Sequence, residues 1–313
     1  MIRVGVLRGG NLNGHGKSVA IGGRILDILN SSDLKDKYKA YDIYLDKNMN
    51  FHLNGVLISL EKLHHNIDVV FNALFANEDG KIQQLLHSWN LPHTSSDIFP
   101  TARLNNKFLY KEHVLRSGFN TPSHIVVKKC EIADQDSWAN VNSKQIWKLM
   151  PPPWVVTSVD NNIDLKIICN TYPNLVEVLH TSLARDNDLL IEERITGKEL
   201  VFHTLENLRN QSQYKFPLIE KKNNDEYVYP SSLNQEERNK LEKNIENIHN
   251  EFGLDHYSQI HLTLSPGGKI YINKINTIPD MSSNSAFTKA LDVVGVNENH
   301  AIDTLIINAL RIK

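Results

Sequence analysis

Three short apolar runs near the start of the chain, Ile2–Leu7, Tyr41–Leu45 and Asp68–Leu74, are separated by polar and amphipathic sequence. A helix through Ser18–Leu29 follows the first run, and a turn at Asn77–Gly80 leads from the third into a helix through Ile82–Trp89. Runs this short and continuously apolar suit strands buried on both faces. A helix between strands carries the chain back to its starting edge, so that the strands lie parallel. The first hundred residues are therefore expected to form a doubly wound half-domain.

From Lys107 the pattern changes. A helix over Lys107–Ser117 ends at Gly118, and Thr121-Pro122 opens an extended run, Ser123–Lys128. Further strands are expected at Trp154–Thr157 after Pro151-Pro152-Pro153, at Asp188–Glu192 and at Leu200–Leu205. The polar stretch Asn207–Tyr214 is expected to be a loop, and Gln235–Phe252 one long polar helix. Gln259–Leu264 and Lys269–Asn273 flank Ser265-Pro266-Gly267-Gly268, a hairpin signal, and a last helix covers about Asn299–Ile312. An α/β start is thus followed by α+β organisation.

Composition removes several classes of function. The 313 residues can bury one large core or two to three smaller ones, and 41% hydrophobic with 22% charged residues is ordinary globular usage. A formal net charge of −2 favours neither nucleic acid nor an anionic membrane. No apolar run approaches the ~20 residues that span a bilayer. Met1–Leu7 reads as a strand, not a signal peptide, so the expected compartment is the cytoplasm. Cys130 and Cys169 lack CxxC spacing and adjoin apolar runs, the setting of buried free thiols.

The segment Gly9-Gly10-Asn11-Leu12-Asn13-Gly14-His15-Gly16-Lys17-Ser18 ends in Gly-Lys-Ser and invites a phosphate-binding reading. A P-loop requires four residues between its first glycine and that ending, so that consecutive N–H groups wrap one phosphate. The required position holds Asn11. Asp46, after the second strand, is the only candidate for the metal-organising aspartate of such a site. A strand-to-helix turn is the plainer reading, and a nucleotide-binding switch built on Lys17 is the third choice of function.

Five segments, in order, resemble the D-alanine–D-alanine ligase family. They are Val4–Gly10; Asp68–Leu74 with Glu78–Gln83; Leu91–Thr94 leading to Lys107 and its helix; Leu190–Leu200; and Asn276–Ser285. The resemblance implies an ATP-grasp fold: an N-terminal Rossmann-like domain over 1–103, then two α+β domains, 104–187 and 188–313, that grip ATP between antiparallel sheets. It also implies ATP-driven amide formation, in which one amino acid's carboxylate is phosphorylated and a second amino acid's amine attacks.

Residue by residue, the resemblance makes Lys107 a phosphate contact, with a solvated helix-start lysine as the alternative. It gives the backbone of Glu193 and Ile195 to adenine, Glu192 to the adenine amino group and Glu199 to the ribose. A strand ending Val-Lys-Pro is replaced by Val155-Val156-Thr157-Ser158. The small glycine loop that should follow is replaced by Asn161–Lys166, where Lys166 is the one candidate phosphate contact. The Asp, Glu and Asn that hold two metal ions become His261, Lys274 and Asn276. Lysine offers Mg²⁺ no oxygen, and like charges ~4 Å apart repel by roughly 4 kcal/mol at an effective dielectric of 20. Lys274 either replaces the cation or is a surface lysine on an exposed strand face. The catalytic glutamate is matched by Gly14, the oxyanion arginine by Gln259 and a glycine amide donor by Asp280. The loop that should carry a Tyr and a Lys is shortened between Ile219 and Pro230. Ser285 keeps a position that binds substrate carboxylate, with plain loop chemistry as the alternative.

No catalytic residue is assigned. ATP is the implied cofactor, Mg²⁺ is argued against, and an amino acid is the implied small molecule. The leading expectation is an impaired or inactive ligase-like protein acting as a homodimer or with a protein partner. The alternative is an active carboxylate–amine ligase with a rearranged site.

Overall fold

The computed structural model describes residues 1–10, 14–74, 80–128, 135–160, 163, 165–182, 188–222, 226–245 and 247–311. Cys130, Glu78, Asp79, Asn11–Asn13, Asn161, Asn162, Asp164 and Asn223–Asp225 lie outside them. The chain folds into two compact units. The first comprises Met1–Ala102, Lys198–Leu262 and Lys274–Lys313; the second comprises Arg103–Gly197 and Thr263–Asn273.

In the first unit, β1 (Ile2–Gly9) pairs in parallel with β2 (Tyr38–Leu45) and with β5 (Val69–Asn72). An antiparallel hairpin, β3 (Phe51–Leu53) and β4 (Val56–Leu57), extends the β2 edge, giving the order β4-β3-β2-β1-β5. Alternation along the strands divides the apolar side chains between two faces. Val4, Val6, Val69 and Phe71 join Ile21, Ile25 and Leu29 of α1 (His15–Leu29), together with Ile302, Leu305 and Ile306 of α11 (Glu298–Arg311). Leu7, Ile43 and Val70 face the other way, onto Leu63 of α2 (Leu60–Asn66) and Ile82 and Leu86 of α3 (Lys81–Ser88). This is the doubly wound arrangement expected of the apolar runs, with a hairpin edge whose three- and two-residue strands are too short to show a period.

The same unit holds most of a second sheet, ordered β13-β12-β10-β14-β15, with β11 also paired to β10. Its strands are β10 (Lys198–Glu206), β11 (Gln213–Lys215), β12 (Ile219–Lys221), β13 (Tyr227–Val228), β14 (Tyr257–Leu264) and β15 (Ile270–Asn276). Leu205, Phe216, Ile219 and Tyr257 from this sheet join the core of α1 and α11, where Phe287 of α10 (Ala286–Val293) packs edge-on against Tyr257 and Phe216. The single polar helix expected over Gln235–Phe252 is instead α8 (Gln235–Ile245) and α9 (Ile248–Glu251). Ile245 and Ile248 are both buried, and breaking the helix between them lets each segment place its own apolar side chains. The expected loop at Asn207–Tyr214 holds a short 3₁₀ turn and the start of β11.

The second unit is an antiparallel sheet, β6-β9-β7-β8, formed by β6 (His124–Val127), β7 (Trp154–Ser158), β8 (Lys166–Cys169) and β9 (Leu189–Glu193). Two helices, α6 (Gln135–Leu149) and α7 (Tyr172–Ser182), supply Ala139, Ile146, Leu175 and Leu179 to the core around Trp154, Val156 and Ile191. The Trp154 indole N–H, buried with its ring, donates to the Met150 carbonyl at 3.0 Å. Cys169 is a buried free thiol in this core, and burial pushes its pKa up. Helices α4 (Ile98–Asn105) and α5 (Lys107–Arg116) complete the described helices.

Gly9 closes β1 at φ +101°, where an added Cβ would lie 2.2 Å from the Leu45 carbonyl oxygen. That oxygen accepts the Gly10 N–H at 2.8 Å, so it is held in place. Gly16, in the first turn of α1, has nothing within 4 Å of an added Cβ. Gly9→Ala is expected to lower the unfolding free energy by about 1–3 kcal/mol, whereas Gly16→Ala raises it by roughly 0.5–1 kcal/mol. Urea unfolding of the two variants checks the pair.

Candidate functional site

In the second unit, Asn106 caps α5 by accepting the Leu109 N–H at 3.0 Å, and this fixes the first helical residue, Lys107. Its ammonium donates to the Ser158 carbonyl at 2.9 Å, and its backbone N–H donates to Val159. One helical turn on, Lys111 is 3% exposed and pairs with Glu192 at 2.6 Å while donating to the Thr121 hydroxyl at 3.0 Å. Glu192 therefore spends its carboxylate on an internal cation. The four-residue spacing from Lys107 to Lys111 places both on one helix face, which is the sequence signal for Lys111 that motif matching passed over.

Glu193 exchanges backbone and side-chain bonds with Ser123. Its N–H donates to the Ser123 carbonyl at 2.9 Å, and its Oε1 accepts the Ser123 N–H at 3.0 Å. Ile195 is half-buried in the segment that joins β9 to β10. Where a strand lysine would stand, the Thr157 hydroxyl is buried without a hydrogen-bond partner among the described residues. Lys166 opens β8 opposite Thr157 and is exposed.

In the first unit, β14 and β15 bring Gln259, His261 and Asn276 together. The Asn276 amide donates to Gln259 Oε1 at 2.7 Å and lies 3.4 Å from His261 Nε2. Burial, then the positive charges of Lys274, Lys221 and Lys17, hold His261 down at about 3, so the ring is neutral at physiological pH. Lys274 itself is exposed. Lys17 pairs with Asp280 at 2.6 Å, and Lys221 lies 3.9 Å from Glu199, whose side chain is 61% exposed. Glu199 and Lys221 are register partners on β10 and β12.

Ser285 caps α10. Its hydroxyl accepts the Thr288 N–H at 3.1 Å and donates to the Asp280 carbonyl at 2.6 Å. Asp46 is likewise engaged locally: it accepts the Asn50 and Asn48 N–H groups at 2.9 and 2.8 Å, which with His52 bring it down to about 2. On either side of the shortened segment after Ile219, β12 and β13 pair antiparallel, with Lys221 opposite Tyr227.

The donor set does not fit magnesium. Mg²⁺ demands hard, preferably anionic oxygen ligands in near-octahedral array. Gln259 and Asn276 offer neutral amides already bonded to each other, His261 a neutral imidazole, and Lys274 a like charge. Among the described residues, no group of three or more His, Cys, Asp or Glu side chains is placed to hold a metal ion.

Elsewhere in this unit, Ser258, His249 and Glu206 form a chain with 3.0 and 3.3 Å links, the order of groups found in a nucleophilic triad. Ser258 is wholly buried and shares its hydroxyl with Thr204 at 2.7 Å, so the chain ties α9 to β10 and β14 and offers no nucleophile to solvent.

Three comparisons with known proteins bear on these sites. Residues 116–307 match the family model described as D-ala D-ala ligase C-terminus. The chain is 26% identical to the D-alanine–D-alanine ligase of Geobacter sulfurreducens over 99% of this chain and 95% of that one. It is 25% identical to the corresponding protein of Desulforamulus reducens over 99% of both. Among solved structures, the Coxiella burnetii ligase aligns with a TM-score of 0.82 at 18% identity, over 100% of this chain and 94% of that one. The Bacillus anthracis ligase complexed with ATP aligns at 0.78 and 22%, over 100% and 98%. The fold of this chain is therefore the ATP-grasp fold of those structures.

Two outcomes follow for stability. Lys111→Met strands the Glu192 carboxylate and should cost about 3–5 kcal/mol, much of it regained when Glu192→Leu is added; a double-mutant unfolding cycle measures this. Acid should also destabilise the chain. Burial holds His203 and His261 at about 3 and His256 at about 4, against an ordinary value of 6.5. Between those values the unfolded chain binds more protons, so this stability is full above about pH 6.5 and is lost as pH falls toward about 4 for His256 and about 3 for His203 and His261. Each histidine contributes at most about 2 kcal/mol of difference between pH 7 and pH 5, readable by urea titration at the two values.

Proposed function

Because the chain belongs to the D-alanine–D-alanine ligase family, we propose that it is a ligase-like ATP-grasp protein whose peptide-forming chemistry is impaired or lost and whose retained role is binding. The observation that carries this reading is the pair His261 and Lys274: a neutral ring and an ammonium stand where two metal-holding carboxylates would be required. Phosphoryl transfer relies on cations clamped to the reacting phosphates by such carboxylates. Without them a bound nucleotide would lack the clamp that neutralises charge as it develops.

The reading keeps ATP as the cofactor, and the ATP complex of the Bacillus anthracis relative supports it. Lys107, the main chain of Glu193 and Ile195, Glu192 and Glu199 are the residues we assign to the nucleotide. Ser285 is assigned to a substrate carboxylate, and Asn276 is the one remnant of the metal set. The bonds of Lys107 to Ser158, Glu192 to Lys111 and Ser285 to its helix must be exchanged or shared for these contacts to form. No described helix is long and apolar enough to cross a membrane, and the formal charge of −2 gives nucleic acid no electrostatic purchase. We place the protein in the cytoplasm, as a homodimer or beside a protein partner.

A coupled ADP-release assay with Mg²⁺, ATP and D-alanine tests the reading. The expected result is no amino-acid-dependent release above background, at least ~10³-fold below the ~10 s⁻¹ typical of enzymes. Release of ADP in step with D-alanine consumption would instead establish an active carboxylate–amine ligase with a rearranged site.

A further inference from the structure

Between α6 and α7, in the second unit, lies a cavity of about 420 Å³, a volume within the range of small-molecule sites. Ala139 of α6 with Tyr172, Pro173 and Val176 of α7 make its apolar wall, and Asp136, Asn140, Glu177 and His180 make its polar one. The helices run antiparallel: Asp136 meets His180 at one end, and Trp147 meets Tyr172 at the other. Trp147 touches the Tyr172 ring edge-on at 5.8 Å and packs on the buried Trp154 at 5.7 Å, so the aromatic end is braced against the core. Ile191 faces these helices, while its neighbour Glu192 takes the opposite face of the sheet with Lys111. None of the cavity residues belongs to the set assigned to nucleotide or substrate.

Charge and apolar surface are sorted along this groove. Tyr172 lies eight residues before His180, about 12 Å along the helix axis. Asp136 and His180 pair at 3.0 Å, but their side chains are 84% and 48% exposed, so the pair contributes little and exchanges readily. Glu177, one turn before His180, is exposed and makes no ion pair among the described residues. The Asn140 amide nitrogen is bonded to the Asp136 carbonyl at 2.9 Å, which leaves its oxygen to accept from a ligand. Lys144 and Lys148, the basic residues of α6, sit toward the Trp147 end, about 12 and 18 Å along the axis from Asp136. At physiological salt that exceeds the ~8 Å screening length. One end of the groove therefore favours a cation and the other an apolar body.

We propose that the α6–α7 groove binds a small amphiphilic cation, an ammonium joined to an aryl or branched alkyl body about 10 Å long. Asp136 and Glu177 hold the ammonium, with the Asn140 oxygen as a further acceptor. Val176, Pro173 and the Tyr172 ring receive the apolar body.

The test is an NMR titration of the tryptophan indole signals of the full chain with phenylbutylamine, phenylbutanol and phenylbutyrate. The three share one body and differ in charge, and the Trp147 signal, assigned with Trp147→Phe, reports on the Tyr172 end. The amine is expected to saturate that signal with a dissociation constant on the order of 1 mM, the scale for a ligand of this size. The alcohol should bind about tenfold more weakly, as loss of two exposed ion pairs implies, and the carboxylate more weakly still. Glu177→Gln, at an exposed position, should weaken the amine about threefold and leave the alcohol unchanged, and adding Asp136→Asn should erase the preference. Asp27→Asn, on the exposed side of α1, should alter nothing. No saturable Trp147 shift with the amine, equal affinity for amine and alcohol, or unchanged amine affinity in Glu177→Gln would overturn the proposal. Saturation of the same signal by an amphipathic Leu/Lys peptide at about a hundredfold lower concentration would overturn it too, and would assign the groove to a basic partner helix.

Discussion

The packing of α11 and α1 against one face of β1 and β5 is the constraint on which the first unit depends. Ile302, Leu305 and Ile306, from near the end of the chain, fill the same core as Val4 and Val6 from its start. Polar bonds around the rim fix the match: Arg24 holds Glu298 at 2.6 Å, and Asp303 accepts from both Tyr38 and Lys37. The apolar contacts supply the driving force, and the partly exposed ion pairs at the edge add register more than energy. Because Phe287 and Tyr257 belong to the same core, β14 and α10 are set relative to α1. Lys17, Asp280, His261 and Lys274 have fixed neighbours for this reason.

Much of the fold was legible in the sequence because burial writes itself into pattern. Val4, Val6 and Leu7 read as a buried strand since both faces of the sheet are covered. The Ser-Pro-Gly-Gly turn located the β14–β15 hairpin. What stayed hidden was short or interrupted. The β3–β4 edge is too brief to show a period, and the break between α8 and α9 falls inside a run whose polarity is continuous. Helix α6 carries polar residues through much of its length, so its buried stripe of Ala139 and Ile146 shows only once the sheet beneath it is in place.

The candidate site was legible in one direction only. Matching motifs found the losses, because a missing carboxylate at a known place is visible as His261 or Lys274. Lys111 carries no motif of its own, and its partner Glu192 is far off in sequence. The meeting of Gln259 and His261 on β14 with Asn276 on β15 is a tertiary fact, since the side chains come together only in the folded unit. A pair that joins distant positions, such as Lys111 and Glu192, leaves a weaker trace in sequence than a motif does.

The first unit is discontinuous: the chain leaves it after Ala102, returns at Lys198 and completes its core only near Ala309. On a ribosome this imposes an order of events. The opening strands emerge while the helix that must cover them is still about 225 to 290 residues from being made, which at about 5–20 residues per second is on the order of 10–60 s. Through that interval the apolar face of Val4, Val6 and Phe71 has α1 but not α11 to shield it. Most of the second unit, whose residues are nearly contiguous, can meanwhile be assembled. That face is fully covered only when Ile302, Leu305 and Ile306 of α11 have joined it.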